Sequence, residues 1–206
     1  MNLYGFRGLF PDGMRIYSLK RVQNIPTHPD KAWDFFSSPL NLAQITPSAL
    51  KFETLRRTGR LQASNVSSDE PPAFDQKSPS PVSRKDDPFF DHIYAGQLIE
   101  YKLTPVPGFR VYWMTEITHV VPGSYFVDEQ RRGPYRLWHH QHHFREISGG
   151  VEMTDIVHYQ LPLGVIGVLA HRLFVGRQLD RIFAYRREKI EEIFGRWVDA
   201  GGRTGL

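Results

Sequence analysis

The chain has 206 residues, of which 40% are hydrophobic and 13% aromatic, and this excludes a wholly disordered polymer. The absence of cysteine removes disulfides, thiolate metal ligands and cysteine nucleophiles together. A formal charge of +4, with acids and bases mixed along the chain, is too mild to point to nucleic acid, and no such partner is expected.

Residues 16–25 are rich in β-formers and end at Pro26, which predicts a strand. In the following segment, THPDKAWDFFSSP, Thr27 and Asp30 have the spacing of a capping box. Ala32, Trp33 and Phe36 share one helical face, and Pro39 stops the helix. A second short helical piece is expected over 40–45. Residues 59–92 are dense in Ser, Pro and Asp and bury too little apolar surface to offset their ordering entropy, so they read as a mobile insertion. The SPSPVSRK stretch within it is a conceivable docking or modification site for a protein partner. Its bland reading is a tolerated surface loop.

From Ile93 to Gln160 the chain reads as five strands, over 93–104, 109–119, 125–131, 135–147 and 151–160. The short separators between them force antiparallel neighbours. The apolar run Leu161 to Ala170 is interrupted by Pro162, Gly164 and Gly167 and is far shorter than a bilayer span. No continuous apolar leader opens the sequence, so a soluble cytoplasmic protein is expected. A long helix is expected over 176–197, because Leu179, Ile182, Phe183, Arg186, Ile190, Ile193, Phe194 and Trp197 recur at three- and four-residue steps. The opposite side carries Arg181, Arg187, Glu188, Glu191 and Glu192, and the Arg186-Arg187 pair reads as part of this wet face. One apolar stripe on a long helix needs a partner surface, and the sheet is the large one available.

The most informative segment is 135–160. Gly149-Gly150 predicts a two-residue turn that pairs Phe144 with Asp155, His142 with Val157 and His140 with Tyr159. One face then collects Trp138, His140, His142, Phe144, Met153, Asp155, Val157 and Tyr159. The other collects His139, Gln141, His143, Arg145, Glu152, Thr154 and His158. The first face is the inner one, apolar except for two histidines and an aspartate. Such a cluster has three readings: a mutually satisfied pair within the core, a polar anchor for a ligand, or a carboxylate-oriented acid/base histidine. His140-x-His142 followed by Glu146 also resembles part of a cupin metal motif. No correctly spaced histidine follows, His171 being too distant, so neither metal nor other cofactor is expected. Glu129 joins the inner face if its hairpin has a two-residue turn, and Arg131-Arg132 reads as a solvated turn.

The segments I-P-T-H-P-D-K-A-W-D-F-F-S-S-P-L-N-L-A-Q-I-T-P, V-D-E-Q-R-R-G-P-Y-R-L-W-H-H-Q-H-H-F, M-T-D-I-V-H-Y-Q-L-P-L-G and R-Q-L-D-R-I-F-A-Y-R-R-E-K-I resemble the START-like SRPBCC superfamily. The likeness is to its bacterial polyketide cyclase/dehydrase-like branch. The resemblance implies one α+β domain over 1–206, with its core at about 16–197. Its helix-grip fold would wrap a curved antiparallel sheet of six or seven strands around a long C-terminal helix, with two short helices after the first strand. It further implies a cavity for a lipid, polyketide or other small hydrophobic ligand. The 59–92 insertion departs from the branch and falls near the expected cavity mouth. On this reading Trp113, Trp138, Tyr159 and Phe183 supply apolar walls, and His140, His142 and Asp155 the polar anchor. The alternative is a cyclase or dehydratase in which Asp155 orients His142 as the acid/base. Catalysis does not follow from the fold.

Overall fold

The strand β1 (Ile16–Ile25) forms over a ten-residue segment that carries Ile16, Tyr17, Val22 and Ile25 and is followed by Pro26. The computed structural model describes residues 15–58, 92–106 and 108–198. Helix α1 (Pro29–Phe36) follows, with Pro29 in its first turn. Its cap is His28, whose side chain accepts from the Asp30 amide, and not the expected Thr27. Thr27 instead turns its backbone N–H to the Ile25 carbonyl, so the helix begins one residue later than a Thr cap requires. Ala32 and Phe36 are buried and Trp33 is half-buried, as the helical face predicts. The second helical piece is a single tight turn, Asn41–Ala43, and another spans Ser48–Leu50.

Strand β2 (Glu53–Arg57) is an addition to the expected set. The other strands are β3 (Gln97–Val106), β4 (Phe109–Val121), β5 (Tyr125–Arg132), β6 (Leu137–Ile147) and β7 (Gly150–Gln160). Together they make a seven-stranded antiparallel sheet in the order β1-β7-β6-β5-β4-β3-β2. The 59–92 segment expected to be a mobile insertion lies, apart from His92, outside the described residues, as does the tail after Val198.

The β6–β7 register corrects the expected turn. Ile147 pairs with Gly150, so the turn residues are Ser148 and Gly149, and His142 stands opposite Asp155 instead of Val157. Gly149 takes φ +87°, which suits glycine at a turn position. Gly150 serves a different need: a Cβ there would lie 2.1 Å from the Ile25 carbonyl oxygen, so it is the strand position that admits β1. The shift is two residues, which keeps every side chain on its predicted face. Trp138, His140, His142, Phe144, Met153, Asp155, Val157 and Tyr159 are all buried.

The last third of the chain forms helix α2 (Gly164–Ala170), one widened turn (His171–Val175) and helix α3 (Gly176–Phe194). The apolar side chains of α2 and the turn after it, Val165, Ile166, Leu169, Leu173 and Phe174, are exposed. On α3 the buried residues are Leu179, Phe183, Arg186 and Ile190. The helix stops before the expected Trp197, at Phe194, because Gly195 adopts φ +93°. Ile193 is exposed rather than part of the stripe. Leu179 and Phe183 pack with Leu19, Trp138, Val157 and Tyr159, while Ile190 joins Phe36, Phe126, Phe144 and Met153. No described helix is long and apolar enough to cross a membrane.

The ring of Tyr159 belongs to a peripheral aromatic group. Its hydroxyl bonds His171 Nε2 at 2.8 Å, and Tyr17 stacks on both rings. Burial and the nearby Arg15 charge hold the His171 pKa below its ordinary value, while Asp180 opposes them. A histidine with a lowered folded pKa stabilises the fold above its unfolded pKa of about 6.5 and loses that contribution as pH falls through the folded value. Wild-type protein should therefore lose more of its urea midpoint than His171→Gln between pH 7.5 and 5. Parallel midpoint curves would show that His171 is not linked to folding.

Candidate functional site

Helix α1, strands β3 to β6 and helix α3 converge on a cavity of about 250 Å³ between the sheet and α3. Phe36, Tyr101, Trp113, Trp138, Ile182 and Phe183 contribute apolar wall, and Asp128, His140, His142 and Arg186 contribute the polar part. Trp113 and Trp138 meet edge to face with ring centroids 5.2 Å apart, and the Trp113 indole N–H donates to Thr115 Oγ1. The Gln178 amide donates to the Pro105 carbonyl, tying α3 to the end of β3 along the wall.

Strand pleating assembles the polar part. Asp128 pairs with His140 and Phe126 with His142 across β5 and β6, so all four share the inner face. His142 Nε2 lies 2.9 Å from Asp128 Oδ2, and His140 Nδ1 lies 3.4 Å from the same oxygen. On the other side of the rings, His140 Nε2 is 3.1 Å and His142 Nδ1 is 2.8 Å from Asp155 Oδ1. The His142 Nδ1 contact is close but off the line of a hydrogen bond. Arg186 Nη2 stands 3.8 Å from Asp155 Oδ1, and the buried Arg186 Nε has no hydrogen-bond partner. Phe126 stacks on the His142 ring at 4.1 Å, and the two imidazole centroids are 3.8 Å apart.

The electrostatics follow from burial and mutual contact. Burial alone would raise the Asp155 pKa, but Arg186 and the two imidazoles overcome it and hold the carboxyl well below its ordinary value. Burial likewise opposes charge on Asp128, and His140 and His142 outweigh it, so its pKa is also lowered. Burial disfavours a charged His142, yet its hydrogen bond to Asp128 and the adjacent Asp155 carboxylate prevail and raise its pKa. Burial lowers the His140 pKa, reinforced by the neighbouring His142.

Of the expected site residues, Trp113, Trp138, His140, His142 and Phe183 line the cavity. Tyr159 is buried but belongs to the aromatic group around His171. Asp155 stands behind the histidines, bordering a second depression of about 500 Å³ between β1 and α3 that also meets Lys20, Arg21, Asp180 and Arg187. Two members of the cluster lie outside the expected set. Asp128 occupies the inner position that Glu129 was expected to share. Gly133–Arg136 make the β5–β6 connection longer than two residues, so Glu129 faces outward to Arg131 and His139. Arg131 is exposed, as expected, and lies at the end of β5, where it pairs with Glu116 and Glu129 on the outer face. Arg186 points inward while Arg187 pairs with Glu191 at the surface, so the two arginines part company. The helical stripe that includes Arg186 was the signal for it.

The long C-terminal helix, the seven-stranded antiparallel sheet and the cavity between them make this a helix-grip fold. The chain is similar to ginseng major latex-like protein 151 from Panax ginseng, with a TM-score of 0.55 at 11% identity over 91% of this chain and 99% of that one. A structural-genomics protein from Chromobacterium violaceum superposes with a TM-score of 0.56 at 10% identity, over 86% of this chain and 97% of that one. A protein from Thermus thermophilus gives 0.52 at 14% identity, over 85% and 94%. Likeness at this level of identity concerns the fold alone. Neither a family model nor a curated protein matches the sequence.

Proposed function

We propose that the chain binds one small, mostly apolar molecule with a polar end in the cavity between the sheet and α3. The observation that carries this reading is the division of one cavity into an aromatic wall and a charged, hydrogen-bonding end. Apolar pockets with a few convergent polar groups are how small-molecule sites are built, and those for drug-sized ligands start at about 300 Å³. A cavity of about 250 Å³ suits a ligand of modest size. Trp113, Trp138 and Phe183 serve as wall, and His140 and His142 as anchor. Asp155 supports both imidazoles from behind instead of meeting the ligand. The acid/base reading asks His142 to exchange a proton with the ligand. Both its ring nitrogens lie against carboxylates, which favours binding over turnover.

Native mass spectrometry of the purified protein, compared with its denatured mass, tests the reading. The expected result is one small organic adduct per chain, or saturable uptake of a naphthalene-sulfonate probe that leaves on adding an apolar competitor. A protein that carries no adduct and takes up no probe would overturn it.

A further inference from the structure

We propose that Asp128, His140 and His142 form a three-ligand site for a divalent first-row transition-metal ion, open toward the cavity. Three observations lead there.

The first is donor spacing. Ligand atoms about 2.0–2.2 Å from one ion, at angles between octahedral and tetrahedral, stand about 2.8–3.6 Å apart. Asp128 Oδ2 is 2.9 Å from His142 Nε2 and 3.4 Å from His140 Nδ1. One donor atom from each of the three residues lies within 4.8 Å of the other two. Two imidazoles and one carboxylate leave further coordination positions free, and the same three side chains line the cavity.

The second is the support behind the donors. A metal-bound imidazole characteristically turns its other N–H to a carboxylate, which fixes ring orientation and tautomer. Here both remaining ring nitrogens, His140 Nε2 and His142 Nδ1, face the same oxygen of Asp155, at 3.1 Å and 2.8 Å. Arg186 stands beside that carboxylate.

The third is a buried atom left without a hydrogen bond. Of the four N···O contacts around the two rings, two are hydrogen bonds, His142 Nε2 with Asp128 and His140 Nε2 with Asp155. The buried His142 Nδ1 has no hydrogen-bond partner, although it lies 2.8 Å from Asp155 Oδ1. A divalent cation on the Asp128 side would take the lone pairs of His142 Nε2 and His140 Nδ1, and each ring would then turn its one N–H to Asp155. The polar end of a cavity ligand, a carboxylate, carbonyl or hydroxyl, would complete the coordination.

The site does not depend on what fills the cavity, so the two proposals fail separately. Chelator-treated, organic-extracted protein is titrated with cobalt(II) chloride and followed by calorimetry and visible absorption. The expected result is one equivalent bound per chain with ligand-field bands, and at least tenfold weaker binding in both Asp128→Asn and His142→Gln. Asp155→Asn, one step removed from the metal, should weaken binding by about 10- to 100-fold while retaining the bands. Because these variants could perturb folding, wild-type proton NMR is a second readout: cobalt should broaden or shift the His140 and His142 ring signals before those of His139, His143 or His158. Absence of stoichiometric binding by wild type, or histidine signals that do not respond, would overturn the site. Cobalt binding with no uptake of the naphthalene-sulfonate probe would sink the apolar-ligand reading alone. Probe uptake without cobalt binding would sink the metal site alone.

Discussion

The Asp155→Leu protein should be less stable than wild type by about 3–5 kcal/mol, measured as a urea midpoint in the presence of chelator. Asp155 is 6% exposed, and its Oδ1 is the shared partner of His140, His142 and Arg186. Leucine keeps much of the volume but leaves the buried Arg186 guanidinium without its adjacent carboxylate and the two imidazoles with Asp128 alone. Removing one member of such a network costs far more than the network contributes against an apolar replacement of all its members. Asp155→Asn should cost less, because it retains an acceptor oxygen. A change below about 1 kcal/mol for the leucine variant would mean that water enters and screens the cluster.

The Trp138→Ala protein is expected to lose about 3–5 kcal/mol, the usual range for deleting a large aromatic from a core. Trp138 is flanked by Trp113 at 5.2 Å, Tyr135 at 4.9 Å, and Tyr159 and His140 each at 6.1 Å. It separates the cavity from the aromatic group at His171. Its loss should enlarge the cavity, so the same variant should admit a bulkier apolar probe than wild type. Trp138→Phe should cost clearly less. A small loss with no change in probe size would show that the neighbouring rings collapse into the gap.

What was legible from the residues depended on how much each element alternates. Along β6 and β7 every second side chain is apolar or aromatic, Asp155 excepted, and a hairpin read from that alternation has the right faces even with the turn misplaced by one residue and the pairing by two. The error came from Gly149-Gly150, where two adjacent glycines serve two purposes: one bends the chain and the other clears the Ile25 carbonyl. Strand β5 offers no such guide. Tyr125, Phe126 and Val127 are followed by Asp128, Glu129, Gln130, Arg131 and Arg132, so the inward carboxylate could not be told from the outward ones. Strand β2 was missed because Glu53–Arg57 is an edge strand whose side chains are almost all exposed, leaving no apolar period to detect. Helix α2 was missed for the opposite reason. Its sequence is apolar on every side and holds two glycines, while its long apolar side chains face outward.

The link between β6 and β7 is only Ser148 and Gly149, and the cavity's chemistry is locked to that length. Deleting or adding a single residue there while β7 stayed in place would rotate β6 by one step, presenting His139, Gln141 and His143 to the interior and sending the His140 and His142 imidazoles into solvent. The spacing of a short turn outside the cavity thus decides which set of alternating β6 side chains faces the protein's inner space.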